Sequence, residues 1–201
     1  MGDEPDDAAD PALRRAVLAV ALLNLGYFGV EVAVAVAIGS VSLFADSIDF
    51  LEDTSVNLLI LAGLGWSAKQ RARLGMVLAF VLLAPTLATL WTAWRKLGLP
   101  MAPDPMSLSL AGLGALAVNT ACAFLLVRFR HHRGSLTKAA FLSARNDAVA
   151  NVAIVAAGLV TAFAWTSAWP DLIVGLAIAA INADAAREVW EAARHEHRAA
   201  P

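Results

Sequence analysis

The segment VSLFADSIDFLEDTSVNLLILAGLG, Val41–Gly65, decides the fold class. It is long enough to cross a bilayer, whose hydrocarbon takes about 20 residues of helix. It nevertheless carries Asp46, Asp49, Glu52 and Asp53. A carboxylate at the bilayer centre costs about 2.5–3.5 kcal/mol on insertion scales, so four unpaired ones would cost on the order of 10 kcal/mol. Such a penalty demands a compensating partner. At about 100° per residue, Asp46, Asp49, Asp53 and Asn57 fall within an arc of roughly 80° on one helix face. Three carboxylates on one face at membrane depth predict a cation-binding site. Glu52 points about 60° away from Asp49 and is expected to pair with Arg145 instead of acting as a ligand.

The rest of the chain has the composition of a membrane protein. Of its 201 residues, 59% are hydrophobic and only 16% charged, against roughly a quarter charged in soluble domains. The apolar residues come in long blocks, which predict an all-α bundle of six membrane-spanning helices. The expected spans are 13–38, 41–65, 74–97, 107–127, 136–165 and 172–190, with Pro85 a tolerable kink in the third. Residues 1–12 are acidic and rich in Asp and Pro and read as a disordered tail, not as a signal peptide. Residues 191–201 read as a short cytoplasmic tail. Basic residues set the orientation. Arg14, Arg15, the Lys69–Arg73 run, the Arg128–Lys138 stretch, Arg187, Arg194 and Arg198 lie on one side, and Arg95 and Lys96 alone on the other. Both termini are therefore expected in the cytoplasm, in a multi-pass cell (plasma or inner) membrane protein. The six tryptophans fall near the expected helix ends, as an interfacial belt requires. A net charge of −2 and no basic tract give no sign of nucleic-acid binding. The single cysteine, Cys122, excludes a disulfide or a cysteine zinc site within the chain.

Other polar residues at membrane depth extend the pattern. The fifth span supplies Asp147, with Arg145, Asn146 and Asn151 beside it and Ser143 one turn earlier on the same face. If the second and fifth spans are neighbours, their polar faces form one cage of oxygen donors. Oxygen suits magnesium, calcium and manganese, and no histidine at this depth pulls toward zinc or copper. The plainer alternative is that the carboxylates pair with Arg145 or hold helices together, but one arginine cannot neutralise so many. Asn24 and Glu31, seven residues apart on the first span, share a face that either lines an aqueous vestibule or hydrogen-bonds a neighbour. Asn119 and Asn182 read as interhelical ties, and Asp184 as solvated. His131, His132, His195 and His197 lie in a loop and the tail, without an assigned role. Gly26, Gly29, Gly63 and Gly65 allow close helix approach but lack the four-residue spacing of a dimer motif.

Two stretches carry a family resemblance. The run GSVSLFADSIDFLED, Gly39–Asp53, resembles the second helix of cation diffusion facilitators, with its GS-x-SL-x-AD-x-x-[H/D]-x-x-x-D pattern. Ser143–Asn151 resembles their fifth helix, and Trp169–Ile178 the opening of the sixth. The resemblance covers about Leu13 to Trp190. It implies efflux of a divalent metal (Zn, Co, Mn, Fe or Cd), usually in exchange for protons, through a homodimer that alternates access. By motif, Asp49, Asp53 and Asp147 match the metal ligands. Ser143 stands where the family has histidine or aspartate, so Asp46, Asn146, Asn151 or water are the candidates for the fourth donor, and zinc preference is weakened. Most members continue into a cytoplasmic domain. Here about eleven residues follow Trp190, which leaves dimerisation to the membrane helices or to the amphipathic stretch Ala185–Arg194. The expectation is a transporter, not an enzyme, with no catalytic residue and no prosthetic group. A non-transporting metal sensor or subunit and a proton-coupled exporter of organic cations are the alternatives, though the aromatics are too few and scattered to line an organic-cation cavity.

Overall fold

The computed structural model describes residues 11–63, 73, 87–98, 101–127 and 135–199. Among them every regular element is an α-helix, and no strand is present. The helices are α1 (Pro11–Ile38), α2 (Val41–Gly63), α3 (87–98), α4 (Pro105–Val127), α5 (Ser135–Phe163) and α6 (Trp169–Ala199). By length and composition, α1 and α4 qualify outright as membrane spans, while α5 carries a shorter apolar stretch, Asp147–Phe163. The described helices fall in all six expected spans, with shifted ends. Helix α1 takes in Pro11 and Ala12 from the expected tail, and α6 continues nine residues past Trp190 instead of ending there. At 1.5 Å per residue, α6 is about 46 Å long, more than the hydrocarbon needs. The acidic residues 1–10, Trp66, Pro85, His131 and His132 lie outside the described residues.

Local chemistry fixes the turn between α1 and α2. Gly39 has φ +65°, a left-handed conformation natural to glycine, and Ser40 N donates to Ala35 O at 2.9 Å. Together these close α1 with a Schellman-type cap. Ser40 then caps α2, its Oγ accepting from Leu43 N at 3.1 Å. Helix α4 starts in a related way, with Asp104 Oδ2 accepting from Ser107 N at 2.8 Å and Pro105 in the first helical position.

Helix α2 is central and touches α1, α4, α5 and α6. That position explains why its polar side chains are buried. One apolar cluster joins α1 to α4 through Leu13, Val17, Val20, Cys122 and Leu126. A second, around Leu43, Leu108, Ile154 and Ile178, lies nearer the Gly39 turn. A third, Val41, Ala93, Ala168 and Leu172, seals that end of the bundle. The outward faces are also apolar: Leu22, Val36, Leu110, Phe124, Val149, Phe163 and Ile181 are all exposed. An apolar surface around a partly polar interior is the inverse of a soluble bundle and fits a lipid surround.

Candidate metal centre

Helices α1 and α2 run antiparallel from the Gly39 turn, and their facing residues form rungs. Asn24 Nδ2 donates to Asp53 Oδ2 at 3.3 Å. One turn nearer Gly39, the rings of Tyr27 and Phe50 meet at 5.1 Å between centroids. One turn further, Glu31 and Asp46, both fully buried, occupy the next facing positions in the same register. Asn24 and Glu31 are seven residues apart, as are Asp46 and Asp53, so the same stripe recurs after two turns on both helices.

Each expected site residue on α2 lies in this interior. Asp46 is fully buried, Asp53 is 5% exposed and Asp49 is partly buried. Asp49 sits in the fields of Asp147, Asp46, Glu52 and Asp53, so α5 brings its carboxylate into the same neighbourhood. Asp147 is partly buried, and Asn151 is fully buried one turn on. Asn151 Nδ2 donates to Asp147 O at 2.9 Å, which leaves Oδ1 as its free end, unpartnered among the described residues. Asn57 repeats the device on α2, with Nδ2 on Asp53 O at 2.7 Å and Oδ1 unpartnered. Both amides thus turn oxygen, the end a hard cation requires, away from their own helices. Among the described residues, no three His, Cys, Asp or Glu side chains converge tightly enough to hold a metal ion. The carboxylates form a loose charged neighbourhood. The side chains of Ser143, Arg145 and Asn146 lie outside the described residues, and with them the expected Glu52–Arg145 pair.

Several residues gain roles that the sequence pattern did not assign. Of the two roles open to Asn24, the bond to Asp53 favours the tie to a neighbouring helix; its Oδ1 also accepts from Cys122 Sγ at 3.5 Å. Tyr27 donates to Ala111 O at 2.6 Å, its ring occupying space that a side chain on Gly114 would take. Asn182 ties α6 to α2, donating to Ala45 O at 3.2 Å. Asn119 is buried, with Oδ1 unpartnered among the described residues. Asp184 is exposed, as expected of a solvated residue. Gly26 and Gly29 face open space, and the close approaches fall instead at Gly112, Gly114, Gly158 and Gly175.

Asp171, in the first turn of α6, has a role that the sequence pattern does not show. It is fully buried and accepts from Val41 N (2.9 Å), Ser42 N (3.1 Å), Ser40 Oγ (2.6 Å) and Ser42 Oγ (2.6 Å). Lys96 of α3 donates to it at 2.8 Å and to Gly39 O at 2.7 Å. A carboxylate of α6 therefore satisfies the open N-terminus of α2, where the helix dipole also favours an anion. The signal was visible in part, since Lys96 is one of only two basic residues expected on that side of the membrane.

Ionisable side chains buried within a membrane bundle characteristically line ion or proton pathways. The chain matches the family model described as the cation efflux transmembrane domain over residues 17–194, nearly its whole length. It therefore belongs to the cation efflux family. No curated protein sequence matches it.

Proposed function

We propose that this protein exports a divalent metal cation across a cell membrane by metal/proton antiport with alternating access, as a homodimer with both termini in the cytoplasm. The observation that carries the proposal is Asp49 on the central helix, within the field of Asp147 on α5, in a chain of the cation efflux family. Asp49, Asp53 and Asp147 are the ligands, and the free amide oxygen of Asn151 is a donor suited to complete the set where Ser143 replaces an ionisable residue. Because the site is built of carboxylates without histidine, metal ions and protons compete for the same oxygens, which is the physical requirement for exchange. The donor set favours manganese and other oxygen-preferring ions over zinc. Rocking of the helices would expose the site first to one side and then to the other.

The test is reconstitution in proteoliposomes with a pH-sensitive dye inside. We expect metal addition to drive proton movement, with Asp49→Ala and Asp53→Ala reducing metal flux by at least about tenfold, as loss of a ligand should. Flux that ignores an imposed pH gradient would reject the exchange step. Unaltered flux in both variants would reject the site.

A further inference from the structure

The Glu31–Asp46 rung belongs to no part of the ligand set above. Both side chains are fully buried, and all four of their carboxyl oxygens lack a donor among the described residues. The register set by the Asn24–Asp53 and Tyr27–Phe50 pairs nevertheless places the two groups at facing positions of α1 and α2. Ionised carboxylates are acceptors only, so neither can satisfy the other. Nearby groups supply no help. Tyr27 spends its proton on Ala111 O, and Lys96 is engaged by Asp171 and Gly39 O. Asn24, the other polar residue on this face of α1, is committed to Asp53 two turns away.

Position adds to this. Along α2, Asp46 lies about 4.5 Å from Asp49 toward the Gly39 turn, and Asp53 about 6 Å from Asp49 the other way. The rung is therefore the next pair of oxygen-bearing side chains met by an ion leaving Asp49 for the Gly39 end. Its second member comes from α1, a helix that contributes no ligand to the first site.

We propose that Glu31 and Asp46 hold a second divalent cation position, separate from Asp49, Asp53 and Asp147 and adjacent to it on the transport path. Two carboxylates from facing helices neutralise one divalent ion. Their oxygen donors select for hard ions of the manganese or magnesium kind, with water completing the coordination. Like the transport mechanism, this second position rests on the cation-efflux reading of the site. Two neighbouring sites of like charge also weaken each other's hold, which lets an ion leave as the next arrives.

Equilibrium dialysis of the purified full chain with Mn2+, read as ions bound per chain by electron paramagnetic resonance, separates the two proposals. The wild type should bind about two ions, Glu31→Gln about one, and Asp49→Asn about one. Glu31→Asp, which keeps the charge but shortens the reach, should still bind two, the weaker one loosened at least tenfold; its folding controls for disruption by the Gln variant. One ion in the wild type, unaffected by Glu31→Gln and lost in Asp49→Asn, would overturn the second position and leave the transport site standing. One ion lost only in Glu31→Gln would keep the rung and overturn the transport ligands. No Mn2+ bound to the wild type would overturn both.

Discussion

Asn24 has its amide on Asp53 and its oxygen under Cys122, so one neutral side chain links α1, α2 and α4. Replacing it with alanine strands polar groups in the interior, and the cost of leaving a buried group unsatisfied is about 1–3 kcal/mol. We expect Asn24→Ala to lower the thermal stability of the metal-free protein in detergent by that amount. Tyr27→Phe keeps the ring against Phe50 but removes the bond to Ala111 O, and should cost about 1 kcal/mol by the same measurement. The carboxylate face of α2 was legible because helical periodicity alone places Asp46, Asp49 and Asp53 together. Their partners were not. Pairing Asn24 with Asp53 or Glu31 with Asp46 requires the register between two helices, which periodicity within either one does not contain. Asp171 was hidden for a related reason: an acid in a first turn reads as a complement to its own helix dipole, yet this one caps α2.

The helices themselves show the same division. Their number and rough extent follow from the apolar blocks, since about 20 apolar residues in succession have few alternatives to a span. Their ends follow from caps, and these are local enough to read at Gly39–Ser40 and at Asp104–Pro105. The Ser107 backbone amide, and then its side chain, hold the Asp104 carboxyl below its ordinary value. A carboxyl lowered by folding stabilises the native state above its unfolded value of about 3.9, and loses that contribution as pH falls through the lowered native value. The protection of the amides of residues 106–109, taken relative to the intrinsic exchange rate at each pH, should therefore fall only in that acidic window, and Asp104→Ala should lower it at neutral pH as well. Close packing between elements was less legible. A Cβ on Gly175 would lie 2.7 Å from both Ser42 N and Val41 C, so α6 passes α2 with no room for a side chain. Gly175→Val should destabilise the fold by about 1–3 kcal/mol, as overpacking does. Gly26 and Gly29, marked by the same residue type, have no such neighbour. Residue type shows that a close approach is permitted, and only the packed bundle shows where it occurs.

At the scale of the whole molecule, an apolar layer near the termini and another nearer Gly39 flank the polar rungs of α1 and α2. Beyond them, Lys96 and Asp171 join α3 and α6 to the α1–α2 turn. Breaking a buried ion pair by removing one partner costs about 3–5 kcal/mol. Asp171→Asn should show a loss of that order in thermal unfolding, and faster labelling by a thiol reagent of a cysteine placed at Ser42. The consequence for movement is one of leverage. A helix gripped at its first turn can swing but cannot slide, so displacement grows with distance from the grip. At 1.5 Å per residue, Asp46 sits about 7 Å along α2 from Val41 and Asp53 about 18 Å. One swing of α2 would thus carry Asp53 more than twice as far as Asp46, opening the far end of the carboxylate row more than the near end. In such a swing the Gly39 turn would be the fulcrum, and the two carboxylates seven residues apart would be arms of unequal length.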